Sequence, residues 1–166
     1  MKLEIIPKST NDLYPTDILF QTSFWSQVKN KLGWEVLAFE LSLPASRADV
    51  LVLAKGVDDG TSVAYIPQGP EYGPAPESYG IFLEMLSESI ARHLKSSAAC
   101  IRYDLPWPDP YALEGKGPPS MPQGFHRPQN RLREMRMNYS TNNHNLRKAP
   151  LDLTVADSLI VDITAS

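Results

Sequence analysis

At 166 residues the chain has room for one domain and little more. A composition of 42% hydrophobic and 21% charged residues excludes disorder throughout, and at this size a core needs neither disulfide nor metal. A formal charge of −3 gives no global field that would draw in nucleic acid, so DNA is not an expected partner.

Leu3–Ile6 reads as a short strand. From Asp17 to Leu32, the residues Phe20, Phe24, Trp25, Val28 and Leu32 recur at three- and four-residue spacing, which predicts an amphipathic helix closed by Gly33. Trp34–Leu43, Asp49–Leu53 and Thr61–Ile66 predict three strands of a meander, with Gly56 and the hairpin dipeptide Asp59-Gly60 before the last. Pro67–Pro76 holds four prolines and two glycines and cannot extend that strand, because each proline removes a donor. Glu77–Lys95 predicts a helix with Ile81, Met85, Leu86, Ile90 and Leu94 inside and Glu84, Glu88, Arg92 and Lys95 mostly outside.

Ala98–Leu105 reads as a buried strand ending on Asp104, with Cys100 packed as a core thiol. Residues 106–130 carry seven of the 15 prolines and predict a long loop. Arg131–Tyr139 and Asn145–Arg147 read as weak strands, and Asp157–Ile163 as a last strand. Residues 151–166 are therefore expected to open a second domain after a first one over 1–150. No segment suits a signal peptide or approaches the ~18 apolar residues of a membrane span, so the expected location is cytoplasmic. With one cysteine and no Cys/His set at ligand spacing, no disulfide and no metal site are expected.

The order strand, helix, meander, helix, strand predicts an α+β fold, a mixed and mostly antiparallel sheet with flanking helices. It resembles the acyltransferase fold of Gcn5-related N-acetyltransferase (GNAT) type. Four segments carry a closer resemblance: Phe24-Trp25-Ser26-Gln27-Val28-Lys29, Ala64-Tyr65-Ile66-Pro67-Gln68-Gly69-Pro70, Ile101-Arg102-Tyr103-Asp104-Leu105-Pro106-Trp107 and Asp157-Ser158-Leu159-Ile160-Val161-Asp162. In this order they resemble the Fem family of peptidoglycan-bridge aminoacyltransferases, whose members have two GNAT-like subdomains. The resemblance spans most of the chain and implies that it is the N-terminal half of such a protein.

It implies transfer of an amino acid from aminoacyl-tRNA, as co-substrate, to the stem peptide of a UDP-muropeptide or of lipid II. No bound cofactor is implied. A lipid-linked substrate would place the work at the inner face of the membrane. The resemblance matches Lys29 to a lysine that contacts the precursor's phosphates and Asp104 to a carboxylate lining the same cleft. The chain departs from the family pattern around Ala99 and at Leu153–Asp157.

Each candidate has a blander alternative. Lys29 can lie along an apolar face with its ammonium wet. Asp104 can cap a turn or pair with Arg102. Tyr65, with Gln68 and Gly69 in the turn that follows, either walls the precursor cleft or completes a strand. Arg131, Arg133 and Arg136 form a local basic stretch that meets RNA phosphates or is a solvated linker face. Two other functions stay open: an acyl-CoA-dependent GNAT N-acyltransferase and a non-catalytic RNA- or protein-binding module. The single G-x-G, Gly115-Lys116-Gly117, lies in the Pro-rich loop with no helix after it, which argues against a pyrophosphate cradle there.

Overall fold

The computed structural model describes residues 3–42, 47–108, 127–150 and 153, and for 127–130 the backbone alone. In chain order these residues form β1 (Glu4–Lys8), α1 (Ser23–Lys31), β2 (Glu35–Ser42), β3 (Arg47–Gly56), β4 (Ser62–Ile66), α2 (Tyr79–Ala91), β5 (Ala98–Tyr103) and α3 (Arg127–Met137). The strands lie side by side in sequence order, antiparallel from β1 to β4 and parallel between β4 and β5. Antiparallel neighbours can be joined by turns, whereas a parallel pair needs a crossover, which α2 supplies. The fold is α+β; among the described residues it is a five-stranded mixed sheet with three α-helices.

β3 is central and buried on both faces from Val50 to Ala54, so its sequence reads as a continuous apolar run rather than an alternation. On one face Phe39, Leu41, Val50, Val52 and Ile66 meet Phe82, Leu83, Leu86 and Ile90 of α2. On the other, Ala38, Leu51, Leu53 and Tyr65 meet Trp25 of α1, with Leu13, Trp34 and Val36 packed around them. Full burial of each large side chain is worth about 1.5–3 kcal/mol, and the α2 face holds most of them.

α1 is shorter than its apolar spacing predicts. Thr22 caps it, its hydroxyl accepting from the Trp25 N–H at 3.2 Å, and Leu19–Gln21 form a separate 3₁₀ turn. Phe24 and Leu32 are exposed rather than packed. Gly33 ends the helix with φ +77°, the left-handed conformation expected of it.

α2 and the segment after it differ from the sequence expectation at three places. Glu84 is buried, not outside, because its carboxylate accepts the backbone N–H groups of Asn142 (2.8 Å) and Asn143 (2.7 Å). Arg131–Tyr139 is not a strand: Arg127–Met137 is helical, and Asn145–Arg147 has no regular structure. Arg, Leu, Glu and Met are strong helix formers. The Asn138 side chain then secures the helix end, donating to Glu134 O and Leu146 O and accepting from Leu146 N. The helix meets α2 at Gly80, where any Cβ would collide with the Met137 carbonyl.

Cys100 is exposed, not a core thiol. Among the described residues β5 is an edge strand, and at the level of Cys100, which pairs with Val63, no described element covers it. The predicted strand Asp157–Ile163, the second domain and most of the Pro-rich loop lie outside the described residues.

Candidate functional site

β4 stops at Ile66 because Pro67 has no N–H to give. The register that pairs Leu53 with Tyr65 would bring Leu51 opposite Pro67. The buried side-chain amide of Gln21 stands there instead. Its Oε1 accepts the Leu51 N–H at 2.8 Å and its Nε2 donates to the Pro67 carbonyl at 2.6 Å, so the amide bridges β3 and β4 where the ladder ends. Gly69 packs directly on this amide, leaving no space for a side chain.

The turn that follows is fastened to the end of β5. Gly69 N–H donates to the Asp104 carbonyl and Asp104 N–H to the Ile66 carbonyl, both at 3.1 Å, extending the parallel ladder one step past Tyr103. Gln68 adopts a left-handed φ of +43°, and the Gly69–Pro70 peptide is cis. Trp107 Nε1 donates to the Pro70 carbonyl at 2.8 Å, while its ring packs on Tyr79 and Phe82. Two segments 39 residues apart in sequence at Tyr65 and Asp104 thus form one structure.

At its centre the Tyr65 hydroxyl donates to Asp104 Oδ2 at 2.6 Å, and Arg102 Nη2 lies 3.4 Å from Asp104 Oδ1. Both ionic side chains are mostly buried, at 17% exposure for Arg102 and 12% for Asp104. A carboxylate with a donor on each oxygen is held in place and charge-compensated; it suits orienting a ligand better than removing a proton. The phenol of Tyr103, on the opposite face, is pushed up from its ordinary pKa by burial, which its hydrogen bond with Ser87 only partly offsets.

Tyr65 and Arg102 are register partners and so share the face that α1 covers. Lys29 stands on that same side. Its Nζ lies 4.8 Å from the Trp25 ring centroid and 5.1 Å from that of Trp34. Trp25 and Trp34 are half-buried and pack against Leu51, Leu53, Tyr65 and Ala38, as their apolar spacing predicts. Lys29, Tyr65, Arg102 and Asp104 are therefore brought to one face of the sheet, with Gln68 and Gly69 in the turn at its edge. The N–H of Gly69 is already spent on Asp104.

The arginines are not brought together. At about 100° per residue, Arg133 and Arg136 fall within about 60° of each other on α3 and Arg131 points well away. Arg131 instead shares a groove of about 630 Å³ with Met135, Tyr139, His144 and Arg147. A second concavity, of about 280 Å³, lies at the other end of β4, between Gly33, Lys55, Gly60 and Lys95. Among the described residues, no group of His, Cys, Asp and Glu is arranged to hold a metal.

No role is expected of Gln21, Trp107 or Lys55 from the sequence, although Trp107 closes a segment that resembles the family. The first two act through backbone groups of residues far along the chain, which leave no local pattern. Lys55 follows an apolar strand and reads as an ordinary strand-end charge. No family model, curated protein or solved structure matches the chain.

Proposed function

We propose that this chain binds a peptidoglycan precursor through the face covered by α1, as the N-terminal part of a Fem-type aminoacyltransferase of GNAT-like fold. One observation carries the reading. Residues from three separate segments that resemble the family, Lys29, Tyr65 and Asp104 with Arg102, lie on a single face of the sheet, and two of those segments are hydrogen-bonded to each other.

In this role Lys29 meets the precursor's phosphates as a point cation on a rigid helix. Asp104, fixed by Tyr65 and Arg102, orients the acceptor region of the stem peptide. The transfer itself is amide formation: the stem-peptide amine attacks the aminoacyl ester carbonyl, and the tRNA ribose oxygen leaves. The ester is already activated, so orientation and stabilisation of the developing oxyanion are what a protein adds. Among the described residues no helix is long and apolar enough to cross a membrane, and contact with a lipid-linked substrate would be peripheral.

Calorimetric titration with UDP-muramyl pentapeptide tests the reading. Saturable binding that weakens ten-fold or more in Lys29→Ala, with no heat from acetyl-CoA, is the expected result. Binding of acetyl-CoA instead would transfer the chain to the acyl-CoA-dependent class.

A further inference from the structure

α3 turns an apolar row outward. Arg131, Met135 and Tyr139 recur at four-residue spacing and so lie along one side of the helix and of the turn that continues it. Met135 is 63% exposed and Tyr139 79%, the most of any large apolar side chain among the described residues. The other side of α3 is spent on the fold: Met137 packs against the core and Asn138 is buried.

The segment after α3 folds back and makes this row one wall of the groove of about 630 Å³. That segment has no regular structure, yet side chains fasten it. Glu84 accepts the Asn142 and Asn143 N–H groups, the Asn143 side chain donates to Glu88 at 2.9 Å, and Asn138 bridges to Leu146. Arg147 stands on this second wall, its Nη1 donating to the carbonyls of His144 (2.9 Å) and Leu146 (2.8 Å). A groove formed before its ligand arrives lowers the ordering cost of binding.

Its charge opposes that of the rest of the chain. From Arg131 to Pro150 the sequence holds four arginines and Lys148 against one carboxylate, Glu134, in a chain of net charge −3. Tyrosine, methionine and arginine are the types that protein interfaces enrich, and the guanidinium fork matches a carboxylate.

We infer that this groove docks an acidic polypeptide segment, with an apolar side chain seated between Met135 and Tyr139 and carboxylates on Arg131 and Arg147. The inference goes beyond precursor binding and does not depend on it, because α3 packs on α2, across the sheet from α1. A nucleic acid fits less well. It carries a phosphate at every link, and Glu134 brings a carboxylate into the groove, its Oε1 accepting the Lys148 N–H at 3.1 Å. A polypeptide can set an uncharged residue there. A two-fold contact with a second copy is disfavoured, since it lays the basic patch on itself.

The test is a selection followed by a titration. A random dodecapeptide phage library is panned against the wild-type chain. Enriched peptides, labelled with fluorescein, are titrated by anisotropy into the wild-type chain, Arg131→Glu, Tyr139→Ala and Lys31→Glu, with a single-stranded RNA dodecamer alongside. All three positions are exposed, so the variants are expected to stay folded; Met135→Gln serves if Tyr139→Ala lowers the melting temperature. Enriched peptides are expected to carry acidic residues around an apolar one. Arg131→Glu and Tyr139→Ala are each expected to weaken them about ten-fold, and Lys31→Glu, the same charge change on α1, less than about two-fold.

Enriched peptides without an acidic bias, or indifferent to either Arg131→Glu or Tyr139→Ala, would overturn the inference, as would no enrichment at all. RNA that binds more tightly than the peptides and is lost in the same two variants would overturn it in favour of a nucleic-acid groove. Equal weakening by Lys31→Glu would reduce the effect to net charge and overturn it too.

Discussion

Under α2 the sheet meets hydrocarbon: Phe82, Leu86 and Ile90 are fully buried against Phe39, Val50, Val52 and Ile66. Under α1 the neighbouring residues of the same strands meet a glutamine amide, a phenol bound to a carboxylate, and lysines stacked on two indoles. The first face maximises apolar area. The second gives up area for directional groups, of which Gln21 and Tyr65 are fixed by partners from other segments. On the reading proposed here, the α2 face is scaffold and the α1 face recognises the ligand. Stability and binding should therefore respond to different substitutions.

The largest expected effect belongs to the scaffold. Phe82→Ala removes a fully buried ring and is expected to destabilise the fold by about 3–5 kcal/mol, measured by urea denaturation. Muropeptide affinity of the molecules that remain folded should be unchanged; a matching loss of affinity would mean the two faces are not separable. Gln21→Ala comes next. It strips the Leu51 N–H and Pro67 carbonyl of their buried partner, with an expected cost of about 2–3 kcal/mol and weaker precursor binding, because the turn at Gln68–Pro70 loses its support.

The smallest effect is a pH dependence on the scaffold side. Burial raises the pKa of Glu84, but the N–H groups of Asn142 and Asn143, the Asn143 side chain and the charge of His144 together outweigh it, and the net shift is downward from 4.5. A lowered folded-state pKa means Glu84 contributes fully above the unfolded value and loses its contribution as pH falls through the folded one. Melting curves should show that loss below pH 4.5, and Glu84→Gln should flatten it. An unchanged acid limb in Glu84→Gln would show that this carboxylate does not fasten the 142–143 segment to α2.

The meander is legible because Glu35–Ser42 is rich in apolar strand formers and a proline stops β4 after Ile66. The crossover helix was legible too, but its inward face was assigned by hydrophobicity alone. Glu84 broke that rule because two backbone donors, Asn142 and Asn143, arrive from nearly 60 residues away. The apolar spacing overextends α1 because Phe20 continues it while Gln21, next to it, is taken out of the helix to bridge β3 and β4. Cys100 has apolar neighbours in sequence, yet among the described residues β5 is an edge, a fact of sheet order that a strand's own residues do not encode. The candidate site was half visible. Lys29, Tyr65 and Asp104 follow from motifs that resemble a family, and Trp107 closes one of them, whereas Gln21 and Lys55 join only through contacts between distant segments.

The three tryptophans report on both faces, Trp25 and Trp34 under α1 and Trp107 against α2. Their indole N–H resonances in a ¹⁵N-labelled chain, followed while UDP-muramyl pentapeptide is added, test the central claim most directly. The account predicts saturable shifts of the Trp25 and Trp34 signals, with a midpoint moved ten-fold or more to higher concentration in Lys29→Ala, and Trp107 nearly still. Movement of Trp107 alone, or three unmoved signals at saturating ligand, would contradict it.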